Sequence, residues 1–291
     1  MARAISTATP AEPARFPIAR VSRSPSAPRR LPRIVASAIE LWTFGEVLQE
    51  LVKRDLKVRY KRSVLGLFWT MLNPLLMMLI TSIVFSALFR SSITDFPVYV
   101  LSGYIVWAFF SQASVAASSS ILDSAGLTRK IYVPPALFPL ACNVSALVNL
   151  ALALVPLTLL VLLTGHGITW AWLVLPFSFL LLAMFTHGLG LILAASSVFF
   201  RDTVYTFQVL LVAWMYLTPL FYPASIIPPR WSPFIEINPI YHYVQLVRAP
   251  VYTGSLPSRL DVLIAAGFAI LLLAVGTWYF EHARVRFVSY L

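Results

Sequence analysis

Glu50–Pro74, ELVKRDLKVRYKRSVLGLFWTMLNP, decides how the rest of the chain is read. Lys53, Arg54, Lys57, Arg59, Lys61 and Arg62 fall within ten positions, with Asp55 among them. From Val64 the sequence turns apolar and stays so to Phe89. A charged helix running into a membrane span is the simplest structure for such a change. Taken alone, that helix is either an anchor or a working part.

Composition supports the membrane. The 291 residues are 59% hydrophobic and 11% charged, with a mean hydropathy of +0.81; a soluble domain carries about 25% charged residues. The net charge of +11 does not point to nucleic acid, because 13 of the 22 Lys and Arg precede Ser63 and no recognition motif accompanies them. Basic residues ahead of a first span report orientation. Cys142, the single cysteine, excludes an intramolecular disulfide, offers no metal cluster and reads as a packing residue. Residues 1–36 are rich in Pro, Ser, Ala and Arg and lack the apolar core of a signal peptide. They are expected to be a disordered, basic cytoplasmic arm.

An amphipathic interface helix is expected over 37–62, where Leu41, Phe44, Leu48, Leu51 and Val52 recur at helical spacing. Glu50–Arg54 and Asp55–Arg59 are acid-first pairs four apart, the favoured order on a helix. Six stretches are apolar enough to span: Leu67–Phe89, Phe96–Ser118, Ala136–Leu163, Trp172–Phe199, Val204–Phe221 and Val262–Phe280. Pro156 and Pro176 are candidate breaks in spans three and four. With both ends cytoplasmic, 18 basic residues lie inside and 4 outside, as the positive-inside rule requires.

Two connections are not plain loops. Ser119–Pro135 holds a short helical turn with Asp123, Arg129 and Lys130, stopped by a double proline. That turn either seats in a partner's cleft or is a short loop carrying inside charge. Arg201–Asp202 either belongs to the same surface or caps a helix. Between spans five and six, Tyr222–Arg259 is semi-apolar and rich in aromatics and proline. Ile240–Val251 is expected to be a short helix dipping into the outer leaflet, which needs cover by protein or water.

Several chemistries are missing. No Asp, Glu, Lys or Arg lies within the span limits given, so no coupling-ion relay is visible. His187 alone offers imidazole there, more in keeping with hydrogen-bonded packing than with a relay. There is no P-loop, paired-carboxylate, H-E-x-x-H or G-x-S-x-G motif. If this membrane body moves something uphill, energy enters from a partner. Trp107, Phe109, Phe110, Trp214, Tyr216, Phe221 and Tyr222 suit stacking on sugar rings. Interface belts and packing are the commoner use of such residues.

The chain resembles the membrane subunit of ABC-2 type polysaccharide exporters, the group that exports O-antigen, capsule, teichoic acid or mycobacterial-type galactan. The resemblance rests on LVKRDLKVRYKRSVLGLFWTMLNPLL at 51–76, FFRDTVYTFQVLLVAWMYLTPLFYPASIIP at 199–228 and NPIYHYVQLVRAPVYTG at 238–254. It covers nearly everything after residue 37; the basic, proline-rich arm is less typical. It implies an all-α integral membrane fold over 37–291 with six transmembrane helices, an interface helix, a cytoplasmic coupling helix and short re-entrant outer gate helices. Residues 41–62 would be a cytoplasmic gate meeting the lipid diphosphate through Arg54, Arg59, Arg62 and Tyr60. Asp123, Leu127, Arg129, Lys130, Arg201 and Asp202 would couple to the ATPase, and Asn238, Tyr241 and Arg248 would belong to the outer gate. The implied assembly is two copies of this chain with two nucleotide-binding subunits, which hold ATP and Mg, in a bacterial inner membrane. This chain itself would bind no cofactor and no metal, and would handle a polyprenyl-linked polysaccharide among membrane lipids. The competing classes are a drug or lipid permease and a membrane enzyme acting on polyprenyl-linked sugars. An enzyme would gather acids or histidines at one membrane face, and here they are scattered.

Overall fold

The computed structural model describes residues 43–60, 63–66, 68–86, 95–128 and 132–290. These are mostly helix, joined by turns and short irregular stretches, with no strand among them. The reason is physical: a hydrocarbon interior supplies no hydrogen-bond partner, so backbone groups there must be satisfied within the segment. The expected arm at 1–36 lies outside the described residues.

The first helix, α1 (Gly45–Tyr60), has Glu46 in its first turn and Lys57 and Arg59 in its last, complementing the helix dipole. Leu51 is buried against Val133, Leu137, Phe138 and Ala141, with Phe44, Val47, Leu48 and Val52 beside it. The anticipated pairs four apart do not form. Lys53 instead bonds Glu50 at 2.8 Å, and Arg54 turns back onto its neighbour Asp55 at 3.0 Å. All four side chains stay near the polar surface, where local geometry outweighs order along the helix.

Helix α2 (Phe68–Ser86) continues through Pro74 and leaves Leu79, Ile80, Ile83 and Val84 exposed. Central α3 (Phe96–Asp123) has 28 residues, about 42 Å at ~1.5 Å per residue. A turn at Ser124 leads to the short α4 (Ala125–Thr128). Next, α5 (Leu137–Leu163) runs unbroken through Pro156. Pro176 is not a break either: it sits in the first turn of α6 (Leu175–Phe199), after a 3-10 turn at Trp170–Val174. Proline is tolerated there because first-turn N–H groups have no helical partner.

Helix α7 (Asp202–Leu217) has only 16 residues, about 24 Å, and buries only Phe207 and Leu211. By length and composition, five helices among the described residues are able to cross a membrane; α7, the expected fifth span, falls short and continues as extended chain at Thr218. The chain then forms α8 (Ser232–Glu236) and α9 (Pro239–Arg248), and a π turn at Ala249–Thr253 ends at Gly254 with φ 66°. The last long helix is α10 (Arg259–Ala283). The short helix expected over 240–251 is thus α9 plus its π turn. Protein covers it: Ile240, His242, Tyr243, Val244, Leu246, Val247 and Arg248 are all buried.

Helices α6 and α10 meet backbone to backbone. A methyl group at Gly188 would strike the Leu272 carbonyl, and one at Gly276 would strike that of Gly188. Small residues allow such close packing where lipid supplies no hydrophobic drive. Ser197 bonds the Ser118 carbonyl, and Asn143 Nδ2 donates to that of Ala183 at 3.2 Å, tying the bundle further. Gly188→Val and Gly276→Val are each expected to cost about 1–3 kcal/mol by overpacking. Gly267→Ala, where an added methyl meets nothing within 4 Å, serves as the control. Thermal unfolding of the detergent-purified protein checks this, and unchanged midpoints for the valine variants would refute the contact.

Candidate functional site

One face of α3 carries Tyr104, Ser111, Gln112, Ser119 and Asp123, whose spacing keeps them on one side of a helix. Facing them, α5 presents Cys142, Ser145 and Asn149. Helices α1 and α2 close the sides. The result is a trough of mixed polar and apolar lining that runs from the α1 end of the bundle into its interior. It contains two cavities, of about 380 Å³ and about 480 Å³, which share Arg59 and Asn149. Between the walls, Asn149 Nδ2 donates to Gln112 Oε1 at 3.0 Å. The inner cavity is bordered by Trp69, Asn73, Tyr104, Phe109 and Gln112. The outer one adds Arg54, Asp55 and Asp123. A third cavity, of about 600 Å³, shares Ser119 and Asp123 with the second and places them near Arg201, Tyr205, Gln208 and Tyr290.

At the opposite end the bundle is locked by buried polar groups. The Arg248 guanidinium lies 3.7 Å from the centre of the Tyr99 ring. Its Nη1 donates to the Tyr99 hydroxyl at 3.0 Å and to the Pro219 carbonyl at 3.2 Å; Nη2 donates to Leu220 O at 3.2 Å. The Tyr99 hydroxyl in turn donates to the Tyr222 carbonyl at 3.0 Å. Gly103 makes room, since a methyl group there would lie 2.6 Å from Nη2. Burying a lone charge costs several kcal/mol; these acceptors and the ring face offset that cost.

His242 forms a second lock. Its Nδ1 is 2.7 Å from Asp261 Oδ1 and its Nε2 is 2.7 Å from the Glu236 carbonyl. Both partners are acceptors, and only an imidazolium donates from both nitrogens. Burial pulls the His242 pKa down, but the bonds to Asp261 and the Glu236 carbonyl, with the Asp261 charge, outweigh it and raise the pKa above 6.5. Asn238 forms the third lock. Its Oδ1 accepts from Trp214 Nε1 at 2.9 Å and from the Ile240 N–H at 3.1 Å, and its Nδ2 donates to Thr218 at 2.8 Å.

The sequence description of ABC-2 type transporters matches residues 46–252. The chain belongs to the ABC-2 type transporter family. It is 33% identical over 252 residues to the O-antigen export system permease protein RfbA of Myxococcus xanthus, covering 86% of this chain and 97% of that one. A protein of the same name from Klebsiella pneumoniae is 29% identical, covering 84% of this chain and 95% of the relative. The polysialic acid transport protein KpsM of Escherichia coli is 25% identical, over 79% of this chain and 90% of its own length.

Within this ABC-2 protein, the residues singled out from sequence fall unevenly. Arg59 borders both cavities of the trough, and Arg54 borders the outer one. The Tyr60 side chain, Arg62, Arg129 and Lys130 lie outside the described residues. Asp123 and Arg201 come together at the third cavity. Asp202 opens α7, where an acid suits the dipole. Leu127 packs on the Leu51 cluster, which joins α4 to α1.

Of the aromatics, Phe109 lines the edge of the trough but is itself buried, and Tyr216 is exposed. Trp107, Phe110 and Phe221 are buried in the core. Phe110 meets Phe185 and Trp214, and Phe221 stacks on Phe85. Trp214 is held by Asn238, and the Tyr222 hydroxyl donates to the Tyr216 carbonyl at 2.8 Å. At the outer-gate positions, Asn238 and Arg248 are buried, and Tyr241 sets its ring edge-on to His242. His187 Nδ1 is buried without a hydrogen-bond partner among the described residues, so the hydrogen-bonded packing expected of this side chain is not seen at that atom.

Gln112, Asn149, Tyr99, His242 and Asp261 were not singled out from sequence. For the two amides a signal existed, since each is a polar residue inside an apolar span on a face shared with serines. Nothing local marks Tyr99 as the partner of Arg248, 149 residues away.

The His242 lock predicts a pH dependence. A raised pKa means that its stabilisation is complete below about 6.5, the ordinary histidine value, and is lost as pH rises through the raised one. Hydrogen exchange at α9 should therefore quicken from pH 6 toward alkaline pH. His242→Gln should flatten that trend, and an identical pH profile in the variant would remove the lock.

Proposed function

We propose that this chain is the transmembrane subunit of an ATP-driven exporter that moves a polyprenyl-diphosphate-linked polysaccharide out of the cytoplasm. The carrying observation is the near full-length similarity to permeases named for O-antigen and polysialic acid export. The trough opening beside a basic helix supports it. Two copies would assemble in a bacterial inner membrane with two ATPase subunits, which supply ATP and Mg; this chain binds neither and is not an enzyme. Six spans with both termini cytoplasmic match the charge distribution, with α7 and the extended chain after it as the fifth span.

The parts have assigned tasks. Arg54 and Arg59, with Arg62 and Tyr60 beyond them, receive the diphosphate, since guanidinium groups grip phosphate oxygens in pairs. The α4 turn, with Asp123, Leu127, Arg129, Lys130, Arg201 and Asp202, docks on the ATPase. Its packing through Leu127 onto the Leu51 cluster carries movement to α1. Phe109, Tyr216 and the neighbouring aromatics border the glycan path, with Trp107, Phe110, Trp214, Phe221 and Tyr222 shaping it from behind. Asn238, Tyr241 and Arg248 hold the outer gate.

The Ala-, Arg- and Pro-biased composition of residues 1–36 points to a mycobacterial-type galactan as cargo. The named relatives favour an O-antigen-type polymer instead. Depleting the protein is expected to trap lipid-linked glycan inside the cell, and sugar analysis of that material separates the two cargoes. Accumulation of a small lipid or drug in its place would overturn the export of glycan. Replacing Arg129 and Lys130 with Gln should leave insertion intact and cut export about ten-fold, within the range of a coupling energy of ~1–3 kcal/mol. Unchanged export in the double variant would remove the coupling role.

A further inference from the structure

The two cavities of the trough differ in charge, and that difference assigns them different ligands. The outer one is bordered by Arg54, Asp55, Arg59 and Asp123, two cations and two acids. Among the described residues, the inner one is bordered by Arg59 as its single charged side chain; the rest of its described lining is neutral, with Trp69, Asn73, Tyr104, Gln112 and Asn149 contributing the polar and aromatic surface. Its volume of about 380 Å³ lies within the ~300–1,000 Å³ of small-molecule sites.

Neutral amides at membrane depth are costly unless they have partners. Gln112 accepts from Asn149 through its carbonyl oxygen, and its NH₂ is the donor end of the same side chain. Ser145, nine-tenths buried and bordering the adjoining cavity, has a hydroxyl with no partner among the described residues. Together they form a row of neutral donors and acceptors leading inward from one guanidinium, beside an exposed indole. That is the chemistry of a sugar next to a phosphate: hydroxyls for the amides, C–H faces for the aromatic ring.

We propose that the inner cavity is a sugar subsite, in which Gln112 and Asn149 bind the first sugar of the lipid-linked cargo while Arg59 at the shared mouth holds its diphosphate. This rests on the polyprenyl-diphosphate reading above. The exporter thereby senses whether a sugar is attached before the glycan enters its path, and idle lipid diphosphate is held less tightly.

The test uses the complete transporter, this chain with its ATPase subunit, in nanodiscs. The probes are undecaprenyl diphosphate bearing one N-acetylglucosamine and undecaprenyl diphosphate alone, with binding read by native mass spectrometry. Gln112→Met and Asn149→Leu should each weaken the sugar-bearing lipid about ten-fold, the equivalent of one hydrogen bond of ~1–1.5 kcal/mol, and leave the bare diphosphate unchanged. Arg59→Gln should weaken both. Trp69→Phe, on the exposed rim, guards against misfolding and should weaken only the sugar-bearing lipid. Equal affinities of the wild type for the two probes, or variants that weaken both alike, would overturn the subsite and leave the export function standing. A wild type that binds neither probe would overturn the diphosphate-linked cargo as well.

Discussion

A hydrocarbon interior gives polar groups nothing to bond to, and every feature of this protein answers to that constraint. It makes the described chain helical, because only helices satisfy their own backbone in isolation. It also turns polar side chains toward one another. Asn143 reaches the Ala183 carbonyl and Ser178 that of Leu246. Where α6 and α10 meet, Ser196 and Tyr279 pair at 3.3 Å, and small residues bring the backbones together at Gly188 and Gly276.

The same constraint separates the two ends of the bundle by the way they treat charge. At one end, α1 lies along the surface, its basic side chains exposed beside a trough that admits polar groups. At the other, Arg248 and His242 are buried and engaged on several sides. An exposed guanidinium is available to a ligand; one enclosed by a ring face and carbonyls is spent on structure. Arg248 thus joins the start of α3, the chain around Pro219 and Leu220, and α9 into one body. Any opening at that end has to move those pieces together or break several bonds at once.

Between the ends, α3 connects everything. Its one face lines the trough, its end at Asp123 borders the third cavity, and its start carries Tyr99. It runs as one helix of 28 residues with most of its length buried. The short α4 follows the end of α3, and its Leu127 packs against the cluster that holds Leu51 of α1.

Much of this was legible without coordinates. Hydropathy placed five of the six expected spans as long helices, because a span must be apolar over its length, while Val204–Phe221 gave only the shorter α7. The basic run ahead of the first span marked α1, and the motif blocks at 51–76, 199–228 and 238–254 carried the resemblance to ABC-2 exporters. What tertiary structure decided was which side chains face which space. Phe110 and Phe109 are neighbours of one type and both are buried, yet the first is enclosed by Phe185 and Trp214 while the second lines the edge of the trough. Arg248 counted as outside charge, and Tyr99, far away in sequence, made it a buried clamp. Local pattern fixes a helix because its bonds are local; a site is assembled from residues brought together across the bundle, and only their packing says which of them remain open to a ligand.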